Sequence, residues 1–215
     1  VQFRLVVIST PKGWEMSTVA EQTMTAEEFF EWVQLPANRG RSFELNHGEV
    51  VEMPPPGKYH GFVCGNVAGI LRNYAIASRK GYVCTNDAGV IVGRDPDSVR
   101  GPDVTFYIDD ETADNMERQY AESPPVLAVE VVSPHDRINE IMSRVTQLVA
   151  RGVKVVWVVD PEARDVSVCR TGQEPQLVQA TEHIGGGTEL PDFRCTVAEF
   201  FATPGREATA GDAVG

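Results

Sequence analysis

The sequence has no long apolar segment and no closely spaced cysteines. No apolar run approaches the roughly 18 residues that a membrane-spanning helix needs, so we expect no association with a membrane. The four cysteines form no CxxC pair, which argues against zinc ligation and favours free thiols in a reducing cytoplasm. They are Cys64, Cys84, Cys169 and Cys195. We therefore expect a cytoplasmic protein.

An excess of basic residues is also missing. The chain has 19 Lys and Arg against 31 Asp and Glu, a net charge of −12. Proteins that bind nucleic acid usually carry a basic surface, so a binding patch here would have to be local. Two groups of basic residues could form one, or could be ordinary solvated faces: Arg72, Arg79 and Lys80, and Arg137, Arg144 and Arg151.

The length of 215 residues is enough for one domain with a sizeable core. We assign residues 23–202 to this domain. Residues 1–22 are predicted to be a peripheral N-terminal extension, in which Met16 is an alternative start. Residues 203–215 are rich in Ala and Gly and are predicted to be a flexible tail.

The centre of the chain predicts a strand, a helix and a second strand. Val126–Val132 is an apolar run of the kind buried on both faces of a sheet, interrupted only by Glu130. His135–Ala150 has apolar residues at three- and four-residue spacing, and Gly152 is placed for a helix C-cap. Val153–Val159 is the second apolar run. Such a unit forms a right-handed crossover between parallel strands.

The flanking segments predict shorter elements. A helix begins after Thr25, whose spacing to Glu28 is that of a capping box. The other elements, in chain order, are a hairpin over Ser42–Met53, a helix over His60–Arg79, a strand over Tyr82–Val92, a charged loop over Gly93–Arg100, a strand over Arg100–Ile108, a hairpin formed by Arg164–Arg170 and Gln176–Gln179, and a helical turn over Thr196–Phe201.

Glu130 has a candidate partner in Asp103, near the start of the strand over Arg100–Ile108. A carboxylate in a central strand is costly unless something pairs with it or binds it. Two carboxylates on neighbouring strands would converge on one spot. Paired carboxylates are what a hard divalent cation such as Mg²⁺ prefers. The alternatives are that Asp103 is a turn residue and that Glu130 forms a salt bridge or is exposed.

Several short motifs together resemble the PD-(D/E)xK nuclease superfamily and, within it, the bacterial Uma-two (Uma2) family of restriction-endonuclease-like proteins. The resemblance covers roughly Thr23–Phe201. The motifs are Phe43-Glu44-Leu45, Gly48-Glu49-Val50, Met53-Pro54-Pro55-Pro56, Gly101-Pro102-Asp103-Val104, Val129-Glu130-Val131-Val132-Ser133-Pro134, Gly152-Val153 and Val156-Trp157-Val158-Val159-Asp160-Pro161.

This resemblance implies an α/β fold of the restriction-endonuclease-like type, with a mixed sheet flanked by helices and an N-terminal hairpin. It implies a metal-dependent endonuclease that hydrolyses phosphodiester bonds in nucleic acid, with DNA as the expected substrate. The metal would be Mg²⁺ or Mn²⁺, held by Asp103 and Glu130. A cation there would polarise the scissile phosphate and lower the pKa of a bound water. By analogy with the superfamily we expect a homodimer.

The resemblance also suggests roles for three further residues. Glu44 would lie near the metal, although it could equally be a surface charge of the hairpin. His60 would approach a phosphate at the start of its helix, or serve as a capping or surface histidine. Gln147 matches a polar position that faces the site in similar proteins, where it would contact the substrate.

One position departs from the superfamily motif. The lysine expected two residues after the glutamate is replaced by Val132, and the family's corresponding helix position is Arg144. Arginine can grip a phosphate oxygen but cannot give up a proton. Our hypothesis is that Arg144 replaces the lysine electrostatically. The alternatives are a weakened or inactive nuclease-like domain that binds nucleic acid or protein, and an oligomer-forming protein with Trp157 in its dimer surface.

Overall fold

The computed structural model describes residues 3–10, 13–20, 23–134 and 136–203. The predicted tail, apart from residue 203, lies outside these residues, and so does His135. The extension predicted over residues 1–22 contains an antiparallel hairpin of strands β1 (Phe3–Thr10) and β2 (Gly13–Ala20). Its peripheral role stays a prediction.

The remaining elements follow in chain order. They are α1 (Ala26–Val33), β3 (Ser42–Asn46), β4 (Glu49–Met53), α2 (Lys58–Ser78), β5 (Tyr82–Thr85), β6 (Val90–Gly93), β7 (Ser98–Arg100), β8 (Val104–Tyr107), β9 (Leu127–Val131), α3 (Ile138–Arg151), β10 (Val155–Asp160), β11 (Asp165–Arg170), β12 (Gln176–Gln179), β13 (His183–Gly186), β14 (Leu190–Thr196) and a 3-10 helix (Val197–Phe201). No helix among the described residues is both long and apolar enough to cross a lipid bilayer.

Two sheets make up the body of the fold. The larger has six strands in the order β12-β11-β10-β9-β8-β5, and the smaller has four in the order β4-β3-β7-β6. The larger sheet is mixed, because β9 and β10 are parallel and its other pairs are antiparallel. The predicted α/β class with a mixed sheet, flanking helices and a hairpin near the N-terminus is confirmed.

The central strand–helix–strand unit is observed as predicted. Strands β9 and β10 pair in parallel, with Glu130 opposite Val158, and α3 connects them. Helix α3 begins at Ile138 and ends at Arg151. Gly152 follows at a φ of 114°, a left-handed conformation that favours glycine at a helix end.

Two predicted strands are each divided between the two sheets. The segment predicted over Tyr82–Val92 forms β5 and β6, and the segment predicted over Arg100–Ile108 forms β7 and β8. The chain crosses between sheets at Gly101, where a Cβ would lie 2.8 Å from the carbonyl oxygen of Asp87. Asp87 itself has a φ of 53°. The end of the predicted loop over Gly93–Arg100 is the strand β7, so the loop prediction is wrong there.

The two faces of the larger sheet are packed differently. One face packs against α2 and includes Val129, Val131 and Trp157. The other packs against α3 and includes Ala128 and Val156. Trp157 is fully buried between Phe193 and Phe200, so the hypothesis of a dimer surface built on this side chain is wrong.

Candidate functional site

A cleft of about 470 Å³ lies where the two sheets meet. Glu44 reaches it from β3 of the smaller sheet, while Asp103 and Glu130 reach it from the larger sheet. Arg144 enters from α3, and His60 enters from the first turns of α2. Five of the six predicted site residues therefore line one cleft, although they come from five separate stretches of the chain.

Glu130 is buried in the central strand β9. Its Oε2 lies 3.2 Å from Nε of Arg144, without the alignment of a hydrogen bond, and its Oε1 has no hydrogen-bond partner among the described residues. Burial raises the pKa of Glu130 to about 8, which outweighs the attraction of Arg144. An acid in this state holds its proton near neutrality unless a further cation stabilises the charged form.

Asp103 lies directly before β8, beside the strand that carries Glu130. Its Oδ2 accepts a hydrogen bond of 2.7 Å from the backbone N–H of Val131, the residue after Glu130. The charge of Asp103 is one of the secondary causes that raise the pKa of Glu130, after burial. The two acids therefore influence each other in the same cleft. Asp103 also lies at a bend of the backbone directly before the strand.

Glu44 is buried and its carboxylate is surrounded by donors. Oε2 accepts a hydrogen bond of 2.8 Å from Arg100, and Oε1 accepts one of 2.8 Å from Arg144 and one of 3.1 Å from the N–H of Gly101. The reading of Glu44 as an exposed hairpin charge is wrong. Its observed contacts instead hold two arginines against the cleft, and such charge-assisted bonds are the stronger kind.

Arg144 brings a positive charge to Glu130, although the strand position of the motif lysine is occupied by Val132. Glu130 and Val132 lie two residues apart on an extended segment, so their side chains point to the same side of the sheet, toward α3. Val132 packs against the apolar core on that side. Arg144 projects from α3 onto Glu130 and Glu44, so a cation occupies this region although the strand does not supply it.

Gln147 lies one helical turn beyond Arg144 but contacts the smaller sheet. Its Oε1 accepts a hydrogen bond of 2.6 Å from Arg100, and its Nε2 lies 3.4 Å from Oδ1 of Asn46. Arg100 also donates to Asn46 at 2.6 Å. In this structure Gln147 therefore holds Arg100 in position through its hydrogen bond. Its contact with substrate stays a prediction.

His60 joins Asp103 to a cysteine. Its Nε2 lies 3.3 Å from Oδ1 of Asp103, and its Nδ1 lies 3.4 Å from Sγ of Cys64, one turn along α2. The Asp103 carboxylate is the largest cause that raises the pKa of His60, to about 10, and Cys64 is the next. A positively charged imidazole in this cleft suits a phosphate group, while the contact with Asp103 also gives the ring a structural role.

The sequence analysis missed two participants, Arg100 and Cys64. Arg100 is buried and directly precedes Gly101-Pro102-Asp103, so its position beside the acidic motif was an available signal. Cys64 follows His60 by four residues, a spacing that places two side chains on one face of a helix. A search limited to CxxC pairs could not find it.

Two of the three arginines in the second basic group, Arg144 and Arg151, are paired with acidic residues. Arg144 is committed to Glu44 and Glu130, while Arg151 donates to the backbone oxygen and the carboxylate of Glu122. Of the three, only Arg144 lines the cleft, while Arg137 is exposed outside it.

The donors in the cleft suit a hard divalent cation. Asp103 and Glu130 offer carboxylate oxygens, the ligands that Mg²⁺ and Mn²⁺ prefer. The buried Oε1 of Glu130, without a partner in the part of the chain that the structure describes, is the atom that a cation would satisfy. These residues fit such an ion.

Comparisons with known proteins identify the family of the chain and a similar fold. Residues 26–198 match the model of the Uma2 family, described as "Putative restriction endonuclease". The fold is similar to the crystal structure of a putative nuclease belonging to DUF820 from Anabaena variabilis ATCC 29413, with a TM-score of 0.70 and 16% sequence identity, over 83% of this chain and 97% of that one. No curated protein matches the sequence.

Proposed function

Because the chain belongs to the Uma2 family of putative restriction endonucleases, we propose that it hydrolyses phosphodiester bonds in nucleic acid, with DNA as the first substrate to test. We propose Asp103 and Glu130 as the residues that hold Mg²⁺ or Mn²⁺. The observation that carries the proposal is the buried Glu130, whose Oε1 lacks a partner among the described residues and whose pKa is sensitive to Asp103 in the same cleft.

A divalent cation at such a site would polarise the scissile phosphate and favour attack by water. The protein's own groups prepare this reaction. Glu130 must be ionised to bind a cation, so binding releases the proton that burial retains. Asp103 is held at the site by the N–H of Val131, which orients one oxygen and leaves the other toward His60.

Arg144 is the group we propose to contact the phosphate. A guanidinium has five N–H donors, more than its contacts with Glu44 and Glu130 take up, and it matches the geometry of phosphate oxygens. It stays protonated at any working pH, so it stabilises developing charge and cannot remove a proton from water. Glu44 contributes by fixing the position of Arg144 and Arg100.

His60 and Gln147 complete the proposal at the edges of the site. His60, held by Asp103, presents a cationic ring to the cleft and is proposed to contact a substrate phosphate. Gln147 is proposed to act through Arg100. We also propose a homodimer in the cytoplasm, by analogy with nucleases of this fold.

A cleavage assay with the matched substitution Glu130→Gln tests the function. Supercoiled DNA and single-stranded DNA are incubated with the protein in Mg²⁺ or Mn²⁺. Wild type should cut, and Glu130→Gln should lose about 1,000-fold or more in rate, the size expected when a preorganised charge is removed from a reaction site. Glu174→Gln, at an exposed position remote from the cleft, is the control and should cut like wild type.

Equal residual cutting by wild type and Glu130→Gln would mean that the activity is a contaminant or that the nuclease proposal is wrong. A second candidate function, binding of nucleic acid or protein without cutting, is favoured by the replacement of the motif lysine by Val132 and by the commitment of Arg144 to two carboxylates. Calorimetric titration with Mg²⁺ separates the two, because the absence of metal binding together with a DNA mobility shift would favour the binding module.

A further inference from the structure

A second set of metal donors lies beside the proposed cation site and differs from it in chemistry. His60, Cys64 and Asp103 each offer a donor atom, and these atoms all lie within 4.8 Å of one another. The set combines an imidazole nitrogen, a sulfur and a carboxylate oxygen. All three residues are half-buried, so the cluster is partly shielded from water but still reachable.

The fold brings the three donors together by two different means. His60 and Cys64 are one turn apart on α2, and their Nδ1 and Sγ atoms are 3.4 Å apart. Asp103 is positioned from the sheet by its hydrogen bond from the N–H of Val131, and its Oδ1 lies 3.3 Å from the other ring nitrogen of His60, Nε2. A single ion would take one of the two ring nitrogens, and with one donor atom from each residue the three atoms lie within 4.8 Å of one another. Because α2 packs on this side of the sheet, the helix pair and the carboxylate form one cluster rather than three separate surface groups.

We propose that His60, Cys64 and Asp103 form a binding site for a divalent metal ion of the zinc class, such as Zn²⁺ or Co²⁺. Zinc takes nitrogen, sulfur and oxygen ligands, and sites with three protein ligands keep a fourth position for water or substrate. Such donors select zinc over magnesium, since soft thiolate and imidazole ligands suit the later transition metals. The cleft that His60 and Asp103 line gives the ion an entry path.

Asp103 would then be shared between two ions of different character. One is the hard cation proposed for Asp103 and Glu130, and the other is the zinc-class ion at the cluster. If zinc takes Asp103 and the neutral imidazole of His60, it withdraws a ligand from the hard cation and removes the cationic ring proposed to contact a phosphate, so Zn²⁺ should inhibit cleavage supported by Mg²⁺. This consequence rests on the proposed nuclease function, whereas the metal site itself does not.

The site is tested with Co²⁺ alone, because a cobalt–thiolate bond produces a charge-transfer absorption in the near ultraviolet that Mg²⁺ sites do not produce. Purified wild-type protein, freed of metal with a chelator and reduced, is titrated with Co²⁺. The band should appear at one equivalent and bleach when Zn²⁺ is added. Cys64→Ser should abolish the band, and His60→Asn should weaken Co²⁺ affinity by at least about 100-fold, since even outer-shell partners change metal affinity 10–100-fold.

Two control variants separate the cluster from its surroundings. Cys84→Ser removes another half-buried thiol, on β5, that is not part of the cluster, and it should keep the band. Glu130→Gln damages the proposed hard-cation site and should also keep the band. Thermal unfolding without metal checks that each variant is folded.

A band of equal strength in Cys64→Ser and wild type, or no band in wild type at saturating Co²⁺, would overturn the proposal. In the activity arm, Zn²⁺ should inhibit Mg²⁺-supported cleavage more strongly in wild type than in Cys64→Ser, and equal inhibition would overturn the shared role of Asp103. If wild type fails to cut DNA at all, the nuclease function fails, and the cobalt spectra still decide the metal site.

Discussion

The two faces of the six-stranded sheet differ in the side chains that they bury: one is apolar, and the other includes a carboxylate. The face against α2 is apolar where β9 and β10 cross it, with Val129, Val131 and Trp157 packed into one core. The face against α3 has an apolar core as well, but Glu130 is buried beside it and Arg144 reaches it from the helix. The same strand supplies both faces, because successive side chains alternate from one side to the other.

The two faces therefore differ in free energy, because only the face against α3 includes the buried Glu130 carboxylate. Burying apolar side chains against α2 stabilises the fold with no unpaired charge. Burying Glu130 on the other face is costly: burial raises its pKa, and the attraction of Arg144 only partly offsets this rise. A carboxylate buried at such a cost on one face alone supports the cation site that we propose at Glu130.

The largest effect we expect is loss of stability from Trp157→Ala, on the apolar face. The indole is fully buried, with its ring centre 5.6 Å from that of Phe193 and 5.9 Å from that of Phe200. Its loss should lower the free energy of unfolding by about 3–5 kcal/mol, measured by urea denaturation. Metal binding by the protein that remains folded should be retained.

Trp157→Phe is the matched control for this variant. Indole Nε1 is buried and lacks a hydrogen-bond partner within the described part of the chain, so a phenyl ring removes an unsatisfied donor while it keeps most of the packing. Its cost should be well below that of alanine. Equal losses for the two variants would show that the orphaned N–H does not matter or that the aromatic core is not close-packed.

The next largest effect is a pH dependence of the free energy of unfolding, which Glu130 confers on the face against α3 and which the apolar face lacks. The pKa of Glu130 is raised from 4.5 to about 8, so the folded state binds a proton more tightly than the unfolded state. The stability from this group is complete below about pH 4.5 and is lost as the pH rises through about 8. Glu130→Gln should remove this slope, which for one proton cannot exceed about 1.4 kcal/mol per pH unit.

The measurement is the free energy of unfolding of wild type and Glu130→Gln against pH, in the presence of a chelator. The two curves should separate between about pH 4.5 and 8, with wild type losing stability relative to the variant. Parallel curves would contradict the raised pKa. Addition of Mg²⁺ should then stabilise wild type more than the variant, because a cation favours ionised Glu130.

The smallest effects that we expect are on kcat/KM, and they separate the charge of Arg144 from the shape of its guanidinium group. Arg144→Met leaves Glu44 and Glu130 without this cation, and we expect kcat/KM for DNA cleavage to fall by about 100-fold, as for the loss of one preorganised donor. Arg144→Lys restores a point charge without the planar fork, and the loss should be about tenfold, equivalent to one charged hydrogen bond. If Lys and Met were equally impaired, charge alone would not explain the role of Arg144.

Much of the fold followed from local patterns. The capping box at Thr25 is observed, with Glu28 N–H donating to the threonine hydroxyl and the Glu28 carboxylate accepting from the threonine N–H. The hairpins β3–β4 and β11–β12 and the parallel pair β9–β10 are also observed. These features depend on residues close in sequence or on strong apolar periodicity, which the sequence displays directly.

The division of two predicted strands between two sheets did not follow from the sequence. Tyr82–Val92 and Arg100–Ile108 each read as one strand, because a crossing point has little local signal beyond Gly89 and Gly101. Where a strand leaves one sheet for another depends on which partner strands are available, and those partners are distant in the chain. This crossing brings Glu44 of the smaller sheet beside Asp103 of the larger one.

The sequence by itself determined the α/β class, the central parallel unit and the acidic residues worth attention, because these follow from periodicity and from a carboxylate in an apolar run. Only the tertiary structure decided which groups face one another: Arg144 with Glu130, Glu44 with two arginines, and His60 with Cys64 and Asp103. Those contacts join residues from separate elements, and the packing of helices on a sheet, rather than any local preference, sets the distances between them.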